Sequence, residues 1–302
     1  DEPPSELILR RARLELEVRL NDLVVGVLDP EFAGDEVTLK DAYVKLEFSP
    51  AVEVLAGQAY RPFSLIEQTS STRILPIERG LRVRGLAAAD EYAIVNGLDY
   101  SDRDIGIQVM GAPSFLPLGF TYQAGVFRGP LHGASTVDDS YQFAARVTVE
   151  PIDVVRIGGG WSSRHFLAVP GNAADPFLRG HAFEVDLEVG TFAPGLHLLG
   201  EVAFGDADPN VGRDFFGTQG WVAWRSGRLS RAVSAVEPIF RASYGDPGEG
   251  FARATLLTPG FNVHFGGRNR VMVNYDFVLP DTDFDPDADT EGAFRAQFQL
   301  AF

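Results

Sequence analysis

Apolar and polar side chains alternate with a period of two along almost the whole chain, and this limits what it can become. Successive side chains of a strand point to opposite faces, so a segment of this kind makes a sheet with one apolar and one polar face. In the C-terminal stretch Phe294, Ala296, Phe298, Leu300 and Phe302 share one face, while Arg295, Gln297 and Gln299 share the other. The same rhythm sets Ala12, Leu14, Leu16, Val18 and Leu20 against Arg11, Arg13, Glu15, Glu17 and Arg19. It sets Ala42, Val44, Leu46 and Phe48 against Asp41, Tyr43, Lys45 and Glu47, and Phe183, Val185, Leu187 and Val189 against Glu184, Asp186 and Glu188. About fifteen such segments fill the chain. A terminal aromatic, Phe302, fits the signal read by outer-membrane assembly machinery.

Two architectures use strands of this kind. A sandwich buries the apolar face in a dry core; an outer-membrane barrel turns it to lipid and keeps the polar face around water. The connections favour the barrel. Short links at Asn21-Asp22, Ser49-Pro50, Pro151 to Asp153, Ala193 to Gly195 and Gly266 to Asn269 alternate with long ones. The long ones run from Arg61 to Arg103, Arg128 to Asp139, Ser163 to Gly180, Gly205 to Gly217, Gly245 to Arg253 and Pro280 to Gly292. One rim of tight turns and one of long loops is the pattern of outer-membrane barrels. The chain has no cysteine. Small secreted domains lean on disulfides, whereas a closed barrel needs none. No apolar run of about 18 residues is present, so no helical span is expected. A net charge of −16 sets the chain against a nucleic-acid partner.

The expected class is all-β: a transmembrane antiparallel β-barrel, one domain over residues 1–302, in the bacterial outer membrane among lipid and lipopolysaccharide. If the last strand ends at the periplasmic rim, every short link is periplasmic and the first visible strand, Leu9 to Leu20, starts outside. Single-chain bacterial barrels have even strand counts. A strand ahead of Asp1 would make sixteen; a segment miscounted within Leu81 to Leu98 would instead give fourteen or sixteen here.

The longest connection, Arg61 to Arg103, is too long to be without function in a compact protein. In and around it lie Arg10-Arg-Ala-Arg-Leu14, Leu39-Lys-Asp-Ala-Tyr-Val44, Gly57-Gln58, Pro62-Phe-Ser-Leu65, Thr69-Ser-Ser71, Ile77-Glu-Arg79 and Arg103-Asp-Ile-Gly-Ile-Gln108. Together these strings resemble the phosphate-selective porin O/P family, by motif over the first third of the chain and by strand rhythm beyond it. The resemblance implies a sixteen-stranded trimeric barrel with one strand ahead of the Arg-Arg-Ala-Arg segment. It also implies that a long loop, residues 61–103 here, folds into the lumen as a constriction whose basic side chains draw small anions inward.

The residues themselves invite the same electrostatic reading. Arg61, Arg73, Arg79, Arg82 and Arg84 crowd the candidate constriction, and Arg11, Arg13, Lys45, Arg146 and Arg241 lie on polar strand faces that would line the lumen. Rings of Arg and Lys set anion preference in pores, and the guanidinium fork suits oxyanions. The plainer reading pairs these cations with Glu15, Glu17, Glu47 and Glu150 across strands. It is favoured for any single arginine, and a filter role is favoured for the cluster. The leading function is a porin for passive diffusion of small hydrophilic solutes, anions such as phosphate above all. The alternatives are a non-conducting barrel that serves as scaffold in an envelope complex, and a cation-tolerant porin suggested by Glu184, Asp186, Glu188 and the net charge.

Other features carry less. Asp281 to Glu291 sets an acid at every second position, but an EF-hand counted from Asp281 needs Gly and Glu where Pro286 and Gly292 stand. A looser divalent-ion site and a solvated loop are the two readings left. Trp161, Trp221, Trp224, Tyr122, Tyr141, Tyr244 and Tyr275 suit an interfacial girdle; Tyr43 and Phe127 are the lumenal aromatics. The histidines, His132, His165, His181, His197 and His264, lack metal-ligand spacing, and there is no Gly-flanked nucleophilic serine. Neither catalysis nor a cofactor is expected.

Overall fold

A computed structural model of the chain describes residues 7–33, 36–80, 90–129, 140–169, 177–190, 193–281 and 290–301. The alternating segments become strands: β1 (Leu16–Arg19), β2 (Val24–Glu31), β3 (Thr38–Ser49), β4 (Val52–Tyr60), β5 (Arg103–Gly111), β6 (Thr121–Phe127), β7 (Gln142–Ile152) and β8 (Val155–Leu167). They continue as β9 (Phe177–Val189), β10 (Gly195–Asp208), β11 (Arg213–Arg225), β12 (Ala235–Asp246), β13 (Ala254–Gly266), β14 (Asn269–Pro280) and β15 (Glu291–Gln299). Each pairs antiparallel with its neighbours in the chain, and sheet order equals chain order. This up-and-down meander is the wall of an outer-membrane barrel. Among the described residues no ladder joins β1 to β15, but Arg10 Nη1 lies 3.5 Å from Gln297 Oε1 on β15 and brings the two ends of the sheet together.

The wall is inside out relative to a soluble domain. On β9 the apolar Val185 is 56 % exposed and Leu187 45 %, while Glu184 and Asp186 between them are buried. Phe298 on β15 is 62 % exposed. Lipid is the solvent that makes this pattern stable, because burying paired charges while wetting leucines would reverse the hydrophobic effect in water.

The apolar core lies between the wall and the segment that links β4 to β5. That segment carries two short helices, α1 (Leu65–Gln68) and α2 (Glu91–Gly97). Phe63, Ile94, Val95 and Tyr100 pack against Ala182, Ala203 and Phe215 of the wall. Leu65, Ile66, Ile74 and Leu75 pack against Leu199, Trp221, Ala223 and Ile239. Trp221, expected in the lipid girdle, is therefore an inward residue of this core, 3 % exposed; Trp224 does face outward.

Two further expectations change. The first strand is ladder-bonded only over Leu16–Arg19, not from Leu9, with one isolated bridge at Arg13 and Glu31. Opposite Leu14 on the partner strand stands Pro30, whose carbonyl accepts the Leu14 N–H at 3.3 Å but which has no N–H to give back, and the ladder breaks there. The long link placed at Gly205 to Gly217 shrinks to residues 209–212, because β10 and β11 extend past Phe204 and Phe215 to meet at Asp208 and Arg213. The acidic stretch 282–289 and Phe302 lie outside the described residues.

Candidate functional site

The inner segment is fastened by its own backbone. A segment outside a ladder must satisfy every N–H and C=O by other means, and the polar faces of the strands supply the partners. Asn274 accepts from Ile77 N–H at 2.6 Å and Glu201 accepts from Ile66 N–H at 3.0 Å. Gln219 donates to Arg79 C=O at 2.8 Å, Asn262 to Leu75 C=O at 3.2 Å, and Arg270 to Ile74 C=O at 2.5 Å. Arg241 donates to Glu78 C=O at 2.8 Å and to Arg79 C=O at 3.1 Å. Gln299 on β15 reaches Thr72 C=O at 3.2 Å. The polar stripe of β10 to β15 thus serves this segment.

Arg61 opens the segment and is 1 % exposed. Its guanidinium gives one bond to Gln142 at 2.6 Å and another to Asp99 at 2.6 Å, so it clips the start of the segment to its end and to β7. Arg79 is also internal, donating to Ile66 C=O at 3.2 Å and Thr69 C=O at 2.6 Å. Arg10 pairs with Glu78, and Arg10, Arg79 and Arg13 all act electrostatically on Arg11. Two of the strings noticed in the sequence, Arg10-Arg-Ala-Arg and Ile77-Glu-Arg, meet there in space. Arg82 and Arg84 lie outside the described residues.

Acids meet four of the strand cations expected to line the lumen. Arg146 bridges Glu184 and Asp186. Arg241 pairs with Asp276 at 3.2 Å, Arg13 with Glu31 at 2.6 Å, and Lys45 with Glu47 at 2.7 Å and Glu53 at 3.3 Å. Arg61 and Arg79 are structural ties, and these strand cations are charge-compensated.

Arg73 sits elsewhere. It lines two cavities near the short-turn rim, where the tip of the inner segment reaches the turns between β9 and β10 and between β13 and β14. The larger cavity, about 390 Å³, is lined by Thr72, Arg73, Ala193, Arg225, His264, Gly267, Arg268 and Arg270. Arg225 and His264 share Glu237, at 3.0 and 2.9 Å. Arg268, by contrast, donates to the Thr72 hydroxyl at 3.3 Å, and Arg270 donates to Ile74 C=O and the Gln299 amide oxygen. The hydrogen bonds of those last two guanidinium groups go to neutral acceptors, although Glu237 also acts on Arg270 through space. Arg73 belongs to the cluster that the sequence points to, whereas Arg225 and Arg268 lie outside it. The run Gly266-Gly-Arg-Asn-Arg270, a tight turn with two arginines, was the available signal.

Deeper in, Asp90 caps α2, its carboxylate accepting from Ala93 N–H at 2.8 Å. Behind it the carboxyls of Glu67 and Glu91 are buried against the wall. Burial pushes the Glu67 carboxyl above the usual carboxylate range, partly offset by Arg79. Glu91 is pushed up well above it, first by burial and then by the charge of Glu201 on β10.

Residues 4–168 match the profile of the family described as phosphate-selective porin O and P. No curated protein matches the chain by sequence. Among solved structures, an anion-selective porin from Comamonas acidovorans is 17% identical with a TM-score of 0.59, over 87% of this chain and 76% of that one. A loop-deleted OmpT of Vibrio cholerae is 12% identical with a TM-score of 0.56, over 90% and 85%. OmpF of Salmonella typhi, solved with daunomycin, is 11% identical with a TM-score of 0.55, over 88% and 80%. At these identities the likeness is one of fold.

Proposed function

The chain belongs to the phosphate-selective porin O and P family and is a bacterial outer-membrane porin, and from that premise we propose that it passes small anions, phosphate among them. In this reading residues 61–102 narrow the lumen, and the basic cavity at the short-turn mouth sets the sign of the favoured charge. The observation that carries the reading is the pair Arg268 and Arg270, set on neutral acceptors beside Arg73 and Arg225. A ring of guanidinium groups in a water-filled mouth raises the local concentration of oxyanions. The name of the Comamonas porin, anion-selective, agrees with this reading.

The test is the reversal potential of the reconstituted porin in a salt gradient across a planar bilayer. The wild-type protein is expected to reverse on the anion side. Arg268→Glu together with Arg73→Glu should move the potential toward the cation side, most strongly below about 0.1 M salt, where the Debye length exceeds about 10 Å. Cation preference in the wild type overturns the reading. The apolar contacts of the inner segment favour one second reading, a plugged barrel that acts as scaffold. A folded, inserted protein that never conducts selects it.

A further inference from the structure

We propose that Glu91 on α2 and Glu201 on β10 form a proton-held latch that keeps the inner segment docked to the wall and lets go when the pair loses its proton. The proposal rests on the reading that residues 61–102 narrow the lumen, and it supplies the regulation of that narrowing.

Glu201 pairs with Gln219 and Ala203 with Gly217, so Glu201 lies two residues along the same inward face from the wall position under Glu91, and the place is dry. Glu91 and Glu201 are 0 % and 1 % exposed. A Cβ placed on Gly217 of β11 would meet the Cα and Cβ of Glu91 at 2.7 Å, so α2 lies directly on the backbone of the wall. Neither carboxylate oxygen of Glu91 accepts a bond from a described donor, and the same holds for Oε1 of Glu201. Two carboxylates left so, with no donor between them, would repel in a medium that screens poorly. One proton resolves the conflict, because a protonated carboxyl donates to its neighbour. The other oxygen of Glu201 already takes the Ile66 N–H at 3.0 Å, and Ser64 also bonds to the Glu201 carboxylate. Glu201 is thereby the better anion of the two, and Glu91 carries the proton.

The charges around the pair do not remove the conflict. On the inner segment stand Asp90, Tyr92, Glu67 and Arg79, with Arg79 and Tyr92 acting on Glu67. Tyr60, at the end of β4, acts on Arg79 and Tyr92. On β7 and β9, Arg146 and Asp186 act on Glu201, and Arg146 is already committed to Glu184 and Asp186. On β12 Arg241 faces Asp90, and on β11 Gly217 and Gln219 bring no charge. The Glu91 carboxyl sits above its unfolded range. Its contribution to docking is therefore complete at low pH and is lost as pH rises through the raised value.

The chain has no native cysteine, so a spin label on Asn96→Cys reports α2 alone. In the full-length reconstituted porin, the ratio of mobile to immobile label should climb on the order of tenfold per pH unit above the transition, the slope of one proton. Channel conductance should change over the same range. Glu91→Gln, whose amide donates to Glu201 at every pH, should abolish both changes; if it fails to fold, Glu201→Gln serves the same purpose. A wild-type label that stays immobile from acid to alkaline pH overturns the latch, as does a pH profile left unchanged by the substitution. Label release without any change in conductance supports the latch and refutes the narrowing role instead.

Discussion

A methyl group on the inner wall measures how tightly the inner segment is seated. At Gly217 an added Cβ would lie 2.7 Å from both Cα and Cβ of Glu91, and neither atom can swing away. The helix must back off by more than half an ångström to reach ordinary contact, and the direction available to it is toward the lumen axis. Overpacking of this kind costs about 1–3 kcal/mol. At Gly245 on β12 the nearest atoms are Ile94 Cδ1 at 3.0 Å and Asp90 backbone at 3.1 Å, so a small give suffices. Gly200 on β10 has nothing within 4 Å of its added Cβ, and alanine there should gain about 0.5–1 kcal/mol by restricting the unfolded chain. The series Gly217→Ala, Gly245→Ala, Gly200→Ala is therefore expected to run from destabilised through mild to slightly stabilised, with about 1.5–4 kcal/mol between its ends. Denaturant midpoints in detergent measure the order, and single-channel conductance should fall for Gly217→Ala as α2 is pushed inward. If Gly217→Ala and Gly200→Ala behave alike in both measurements, α2 does not rest on this wall.

Two further outcomes follow from the wall itself. Val185→Arg, on the outward face of β9, should weaken folding into lipid vesicles by up to about 2–4 kcal/mol, the cost of Arg near the bilayer midplane; a neutral result in a vesicle-folding titration would place that face in water. Arg146→Leu strips the shared partner from Glu184 and Asp186, which are 1 % and 2 % exposed, and should cost about 3–5 kcal/mol. Adding Glu184→Gln and Asp186→Asn to Arg146→Leu should recover much of that in the denaturant midpoint, and failure to recover any would mean the triad is not the source.

The wall was legible because lipid imposes one rule on every outward position. Leu187, Val185 and Phe298 are apolar for the same reason, so the period of two survives through all the long strands. The inward face obeys two rules at once. Where a carbonyl of the inner segment lies opposite, the wall offers Gln219 or Asn262, and where an N–H lies opposite, Asn274; where the segment presents an apolar side chain, it offers Leu199, Trp221 or Ile239. Sequence alone does not show which inward residue faces which, and Trp221 was misplaced for that reason. The helices were hidden in a different way. Asp90 ahead of Glu91-Tyr-Ala is a fair capping signal, but seven residues of α2 are too few to show a period. Arg61 and Arg79 looked like filter residues because a cation in a pore loop has two employments, and only the carbonyl and amide acceptors around them distinguish the two.

Net charge is a poor guide to what such a pore prefers. The chain carries −16, which taken alone argues for cations. The field inside a low-dielectric wall is set by the charges that line the path and by what compensates each of them. On the inward faces cations meet Glu184 and Asp186 (Arg146), Asp276 (Arg241 and Arg295), Glu237 (Arg225 and His264) and Glu188 (Arg156), while Glu201 is held by neutral donors. Among the described residues Arg268 and Arg270 hydrogen-bond to no carboxylate, and they stand at a mouth that every permeating ion must pass under the proposed function. Two such charges within a Debye length of the path outweigh acids placed on outer loops, which salt screens from the lumen. The acidic composition and an anion-favouring mouth are therefore compatible, and their balance is decided at the rim.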